Sequence, residues 1–457
     1  MSRQFLTMKY HYKASDKEKK LLKLLCRISK NVYNCALYEL RQQYFKHKNI
    51  CSYFELNSII KNNPNFHILN TYQSICIIRS AHNNMSKYIK YHNEDGTIKL
   101  YAYKFNGNND LASFPKYRKK KSLMPLITDQ IRPVWYKECK CIKLPLSNLA
   151  RTSKIFNKVF EDELIDTFIK ESELKESFNI FFKIPKELYN SKIRQFRIIP
   201  NYDGSDYTIE FTYEVDNFPK TKSNVNKSLS IDLGVSNLAT CVTTDNESFI
   251  IDGKSLKSIN QFYNKQKAYF QSWLPDNKRY SKRLRILDNK RNRRIEDYLN
   301  KAVSILITKV KELNVDEVII GYNKNMKKGG IKNDKLKGKD KRKANQNFVS
   351  IPLSRFKDKI IFKCQQNGIK VTTINESYTS KASFYDNDEI EKGKYSGERI
   401  HRGLYKRNNS NKFINADINA ALNIYKKYIL KCNSTNNRID YLMSRGLTIP
   451  SRVLVKL

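Results

Sequence analysis

A multidomain α/β protein, with a β-rich first part interrupted by helices and a second part of alternating strands and helices, is predicted by three features of the 457-residue sequence. A strand-like alternation near Phe5 is separated from the next β-like runs by a long stretch of helical periodicity. Short strand-like runs follow one another closely after Lys227. Beyond them helical and strand-like runs alternate, up to a helix that carries Asp417 in its first turn.

In chain order, Phe5-Leu6-Thr7-Met8-Lys9-Tyr10-His11-Tyr12 alternates and predicts a strand. Ser15 and Glu18 form a capping box, after which Leu21, Leu25, Ile28, Val32 and Ala36 recur at helical spacing. The expected helix has about seven turns or fewer. A second stripe runs through Ile75, Ile78, Met85 and Ile89, with His82 read as structural because such stripes are core. Regular patterning stops between Asn106 and Asp129. There Lys116, Arg118, Lys119 and Lys120 could pair phosphates while Tyr117 stacks on a base, although a solvated basic loop has the same composition. Further β-like runs span Cys141 to Leu146, Gln195 to Ile199 and Tyr207 to Val215, the last two joined across the hairpin signal Asp203-Gly204. They predict a small antiparallel barrel or sheet. The strand near Phe5 has no other partner, so the helices from residue 15 to about 95 are expected to be inserted into it.

From Lys227, strands are predicted at Leu229 to Asp232, Leu238 to Thr243 and Ser248 to Ile251, close enough to pair as antiparallel neighbours. A helical region passes through Leu284, Ile295, Leu299, Val303, Leu306, Val310 and Leu313. Then come a strand at Glu317 to Ile320, a basic loop, a helix from Ser354 to Gln366 stopped by Gly368, a strand at Lys370 to Ile374 and the Asp417 helix. This is the element order of an RNase H-like fold.

The charge balance decides the class of partner. With 86 Lys and Arg against 44 Asp and Glu, the formal charge is +42, and the excess is spread along the chain. Such a protein repels itself unless a polyanion neutralises it, so nucleic acid is the expected partner and a membrane is not. No apolar run reaches the roughly 18 residues of a membrane span, and Met1 to Lys13 has no signal-peptide core. A cytoplasmic, nucleoid-associated location is expected, or a nuclear one in a eukaryotic host. The 9 cysteines form no C-x-x-C pair and read as reduced thiols, Cys139 and Cys141 included.

Two carboxylates stand out. Asp232 ends the strand of Ser228-Leu229-Ser230-Ile231-Asp232-Leu233-Gly234-Val235, and Asp417 opens the helix of Asn415-Ala416-Asp417-Ile418-Asn419-Ala420-Ala421. A lone Asp at a helix start is usually a cap. Two carboxylates ending elements of one α/β unit invite a divalent metal, since hard cations take Asp and Glu oxygens.

Those two segments, together with Tyr378-Thr379-Ser380-Lys381-Ala382-Ser383-Phe384, resemble TnpB, the transposon-encoded RNA-guided nuclease family related to Fanzor and type V CRISPR effectors. Asn31-Val32-Tyr33-Asn34 resembles the family's first helix, Pro115-Lys116-Tyr117-Arg118 its basic segment, and Arg445-Gly446 with Pro450-Ser451-Arg452 the tail of one branch. The resemblance implies a wedge-like β-barrel at 1–14 and 125–225, and an inserted helical recognition domain with the basic segment at 15–124. A RuvC-type nuclease domain at 226–430 and a tail at 431–457 follow. It also implies a guide RNA from the transposon end, a double-stranded DNA target cut beside a short motif, and two Mg²⁺ ions. A monomer is expected ahead of a dimer.

The sequence departs from the usual TnpB pattern twice. A zinc ribbon commonly precedes the last catalytic Asp, yet Ser383 and Asp386 stand where its first cysteine pair would be, and no zinc is expected. Residues 382–411 then read as a metal-free remnant in which Lys, Arg and His401 could touch nucleic acid. The strand that usually ends in the middle catalytic Glu ends here in Gly321, which leaves Glu317 and Glu376 as candidates. Glu376 is favoured, since it immediately precedes Ser377-Tyr378-Thr379-Ser380 and Glu317 begins its strand at the end away from Asp232. The expected catalytic and Mg²⁺-binding set is therefore Asp232, Glu376 and Asp417. A cationic arm between Asn323 and Asn347, including Lys327, Lys328, Lys341 and Arg342, is a further candidate for phosphate contacts.

Two other functions remain open at this level: a cutting-deficient, guide-dependent repressor, and a guide-independent RNase H-like transposase. The intact carboxylates argue against the first. The Tyr-Thr-Ser segment and the inserted helices argue against the second, and RNA that co-purifies with the protein would exclude it.

Overall fold

The computed structural model describes residues 4–93, 97, 113–147, 180–201, 203–216, 218–222, 224–323, 351–393, 395–401, 403–407, 412–432, 437–444 and 449–455. The chain divides into two compact units, Met1–Asn217 and Phe218–Leu457.

The first unit starts with strand β1 (Gln4–Tyr12). Helices α1 (Asp16–His47), α2 (Tyr53–Lys61), α3 (Pro64–Ile68) and α4 (Thr71–Tyr91) come next. Strands β2 (Leu126–Thr128), β3 (Pro133–Tyr136), β4 (Cys139–Lys143), β5 (Phe181–Lys183), β6 (Ile193–Asn201) and β7 (Asp206–Val215) complete it. Helix α1 begins at the Ser15 and Glu18 capping box. It runs for 32 residues, longer than the seven turns expected, because Leu37, Leu40 and Tyr44 carry the buried stripe on past Ala36. β1 pairs antiparallel with β7 along its whole length, and the helices lie between β1 and β2 in the chain. The β6–β7 hairpin turns through Gly204, whose φ of +79° an L-residue side chain would strain.

Among the described residues no closed barrel is seen. The strands make a four-stranded sheet in the order β1-β7-β6-β2 and a separate three-stranded sheet β3-β4-β5. Closure needs pairing between distant edges, and among the described residues β1 and β2 each end the larger sheet without a second partner.

The second unit opens with β8 (Ser228–Leu233), β9 (Asn237–Thr243) and β10 (Ser248–Asp252), paired antiparallel in succession. After them come α5 (Lys254–Ser272), α6 (Lys282–Glu312), β11 (Glu317–Gly321), α7 (Leu353–Gln366) and β12 (Lys370–Ile374). A small antiparallel sheet of β13 (Glu398–His401), β14 (Leu404–Lys406) and β15 (Phe413–Asn415) precedes α8 (Ala416–Lys431), α9 (Asn437–Ser444) and β16 (Ser451–Val453). The main sheet has the order β12-β11-β8-β9-β10-β16, with β11 parallel to both β8 and β12 and β16 parallel to β10.

Strand alternation sorts this sheet's two faces. Leu229, Ile231 and Leu233 of β8 pack with α5, α6 and α7 through residues such as Leu256, Leu299 and Phe356. The opposite face carries Val242 and Ile319, packed with Ile418, Ala421 and Leu422 of α8. Asp232, out of phase with the first set, therefore lies on the α8 face. Among the described residues no helix is long and apolar enough to cross a membrane.

Candidate functional site

Asp232 lies next to last in β8, opposite Thr240 of β9. The parallel neighbour β11 pairs Ile320 with Ile231, so Gly321 comes level with Asp232. One strand further out, Ile374 of β12 pairs with Gly321, and Glu376 follows two residues on. A Cβ added to Gly321 would lie 2.3 Å from Ile424 Cδ1 of α8 and 3.4 Å from the Cβ of Glu376. A side chain at 321 would thus have to displace Ile424, whereas Glu376 stands beside that space from just past the end of the neighbouring strand. Glu317 is at the other end of β11, level with Ser228 and about 13 Å from Asp232 along the strand direction.

Helix α8 brings the third carboxylate. The Asn415 side chain caps it by accepting from the Asp417 and Ile418 N–H groups, which places Asp417 in the first turn. The same helix clasps the segment that carries Glu376. Asn423 Nδ2 donates to the carbonyls of Thr379 and Ala382 at 2.9 and 2.7 Å, and Lys427 Nζ donates to that of Ser377 at 3.0 Å. Asn419 donates to Ala382 and accepts from the Phe384 N–H. Thr379 in turn donates its hydroxyl to the Glu376 carbonyl at 2.8 Å. Asn419 and Asn423 were not singled out from the sequence; the signal available was two asparagines spaced by four within the apolar run Ile418 to Ile424.

Electrostatics mark the three carboxylates as neighbours. Burial pushes the Asp232 carboxyl well above the ordinary range, Glu376 and Asp417 push it further, and Arg399 opposes them. Burial also raises Glu376 to about 7. Glu376 Oε2 is buried without a hydrogen-bond partner. Both oxygens of Asp417 are held: Asn237 Nδ2 donates to Oδ2 at 2.7 Å and Arg399 Nη2 to Oδ1 at 2.9 Å. Asn237 and Arg399 escaped the sequence reading, since nothing local ties them to Asp417.

This donor set fits a divalent cation. A buried carboxylate oxygen lacks a partner, and a carboxyl is crowded by like charges that a cation would neutralise. In their present positions the carboxylates do not close around one point: among the described residues no group of 3 or more His, Cys, Asp or Glu could hold a metal.

A pH effect follows. With Glu376 raised from 4.5 to about 7, the folded state keeps a proton that the unfolded chain has released, so stability falls as pH rises between those values. The contribution is complete below 4.5 and gone above about 7. In chelator, melting temperature plotted against pH is expected to fall less steeply over this window for Glu376→Gln than for the wild type. Equal slopes would contradict the buried setting of Glu376.

The segment expected to be a ribbon remnant is tied by side chains. Ser383 Oγ donates to Asp386 at 2.5 Å, Arg407 donates to Asp386 from Nε and Nη2, and Ser396 with the Ser383 N–H donates to Asp388. The Arg407 guanidinium also lies over the Tyr385 ring. His401 ends β13 and is exposed.

In the first unit, two motifs distant in sequence meet. Asn34 of α1 exchanges two hydrogen bonds with the backbone of Arg118, at 2.9 and 3.0 Å. Lys30 Nζ donates to the Lys120 carbonyl at 2.8 Å, and the Arg41 guanidinium lies 4.6 Å from the Tyr117 ring centroid. The backbone of the basic segment is thereby pinned to α1, and Lys116, Tyr117, Arg118, Lys119 and Lys120 are exposed. Lys327, Lys328, Lys341 and Arg342 lie outside the described residues.

Comparison with known proteins agrees with this architecture. Residues 210–327 match the IS605 OrfB family, described as "Probable transposase", and residues 354–424 match the "Cas12f1-like, TNB domain". The TnpB-like protein ORF457 of Acidianus two-tailed virus is 26% identical over 244 residues, 50% of this chain and 48% of that protein. The chain thus spans about half the length of this curated relative. Among solved structures, the Cas12f1–sgRNA–target DNA complex superposes with a TM-score of 0.52 at 15% identity, covering 90% of this chain and 83% of that one. This last likeness is one of fold. Taken together, the chain is similar in sequence to a TnpB-like viral protein and has a mixed α/β fold like that of Cas12f1.

Proposed function

We propose that the chain is an RNA-guided, Mg²⁺-dependent DNA endonuclease of transposon origin that cuts double-stranded target DNA beside a short motif. The observation that supports this reading best is that Glu376 and Asp417 are electrostatic neighbours of the buried Asp232, at one end of a sheet with RNase H-like strand order. The domain division set out from the sequence is part of the proposal, with the nuclease domain at 226–430. The wedge-like and recognition regions precede it.

In this reading Asp232, Glu376 and Asp417 hold two Mg²⁺ ions. When bound, these activate a water and stabilise the leaving oxygen of a phosphodiester. The protein's own part is positional. The central strand β8 fixes Asp232, the α8 clasp fixes the backbone behind Glu376, and Asn237 with Arg399 fixes the rotation of Asp417. Lys116, Arg118, Lys119 and Lys120 pair phosphates of guide RNA or target DNA, with Tyr117 available to stack on a base. Lys327, Lys328, Lys341 and Arg342 are proposed to add phosphate contacts. No zinc takes part.

The test is to purify the protein from its native transposon context, sequence the RNA that comes with it, and offer that RNA's target in a randomised-flank DNA library. Cleavage that needs the RNA, Mg²⁺ and one flanking motif is expected. RNA-independent strand transfer would instead favour the transposase reading that the description of the matched family suggests. Guide-dependent binding without cutting would favour a repressor.

A further inference from the structure

We infer that Arg452, on β16, is a positioning residue for Asp417 and acts through Asn237; the inference rests on the reading of Asp417 as a metal ligand. β16 has three residues and extends the sheet edge in parallel with β10, Arg452 opposite Ile250. Val453 makes the strand's apolar contact with the core, while Ser451 and Arg452 are exposed, so the guanidinium is placed by its polar partners.

The guanidinium bridges two side chains. Nη1 donates to Asp252 Oδ1 at 2.6 Å, and Nη2 donates to Asn237 Oδ1 at 3.0 Å. Asp252 and Asn237 face each other across the β9–β10 pair. The other end of the Asn237 amide, Nδ2, donates to Asp417 Oδ2 at 2.7 Å.

An amide has one accepting oxygen and one donating nitrogen. A flipped Asn237 would turn its oxygen toward the Asp417 carboxylate and its N–H₂ toward a guanidinium, a clash of acceptors at one end and of donors at the other. Arg452 and Asp417 therefore select the same amide orientation. Asp252, whose side chain is 5% exposed, holds Arg452 from behind and also accepts the Lys254 N–H at 2.8 Å. The result is a relay from the sheet edge to a metal-holding carboxylate: Asp252, Arg452, Asn237, Asp417. Hydrogen bonds of this kind orient ligating carboxylates, and their loss typically weakens metal binding about 10- to 100-fold.

The test measures Mn²⁺ affinity by electron paramagnetic resonance on full-length protein without DNA, alongside the melting temperature. Asn237→Ala leaves the Arg452–Asp252 pair in place, so it keeps the sheet edge while breaking the relay. Asn237→Ala and Arg452→Ala are each expected to weaken Mn²⁺ binding roughly tenfold or more, and the double variant no further than the weaker single. Arg452→Lys, which can pair with Asp252 but cannot span both partners, should recover melting temperature and not affinity. Unchanged affinity in Asn237→Ala, or additive losses in the double variant, would overturn the inference and leave Arg452 as an edge clamp. If wild type binds Mn²⁺ no better than Asp417→Ala, the metal reading of Asp417 itself fails. A wild-type advantage over Asp417→Ala without an effect of Asn237 or Arg452 sinks only the relay.

Discussion

Asp232→Ala and Asp417→Ala are each expected to abolish Mg²⁺-dependent DNA cleavage while guide-RNA binding persists. On the proposed reading each removes oxygens that would hold ions worth several kcal/mol of charge stabilisation, and each 1.36 kcal/mol is tenfold, so the loss should be on the order of 10³-fold or more. Neither change should unfold the protein. Asp232 is crowded by Glu376 and Asp417 and held against its charge by burial, so its removal relieves repulsion in the metal-free state. For Asp232→Ala a rise or no change in melting temperature in chelator is expected with the lost cleavage; Asp417→Ala, which takes the acceptor from Asn237 and Arg399, is expected to lower it without unfolding the protein. Cleavage retained in either variant would refute the assignment.

Glu376→Gln is expected to be as damaging to cleavage, and Glu317→Gln to leave it near normal. The two glutamates differ in what they face. Glu376 has a buried oxygen with no partner, at the Asp232 end of the sheet. Glu317 is 1% exposed but fully engaged: Lys370 Nζ lies 3.1 Å from Oε1, Tyr428 donates to both oxygens, and Thr372 donates to Oε1 at 2.9 Å. An amide at 317 keeps one acceptor for Tyr428 or Thr372 and loses the charge opposite a half-exposed lysine, so the cost falls on stability, about 1–3 kcal/mol. The readouts therefore separate: lost cutting with little change in melting temperature for Glu376→Gln, the opposite for Glu317→Gln. A reversal would move the middle carboxylate to Glu317.

Much of the second unit was legible because its elements are short, strongly patterned and close in the chain. Strands β8, β9 and β10 pair with their neighbours in sequence, and the Lys370 to Ile374 strand has the bounds expected of it. Helix α5 was not legible. Only Leu256, Ile259 and Asn260 of its 19 residues are buried, and Phe262 and Tyr269 stand exposed, as does Trp273 just past its end, so its apolar pattern does not mark one face. Alternation predicted a small antiparallel barrel or sheet and could not choose between them, because it identifies strands and says nothing of which distant edges meet; among the described residues the sheet is open. The candidate carboxylates could be picked out because they end patterned elements. Their supports could not: Asn237 reaches Asp417 across 180 residues, and Arg452 reaches Asn237 across 215. Such pairings leave no local periodicity to read.

Gly321 bears on how such a site can change over generations. Any side chain at 321 would strike Ile424 of α8, one and a half to two turns past Asp417 on the same helix, while Glu376 stands against the same space. A side chain at 321 therefore requires Ile424 to leave its present rotamer, while the Cβ of Glu376 would stand in ordinary van der Waals contact with it. Gly321 thus couples two neighbours that are remote in sequence: a residue with a side chain there acts on the packing of α8 and on the surroundings of Glu376 at once, so its effect depends on what occupies 376 and 424.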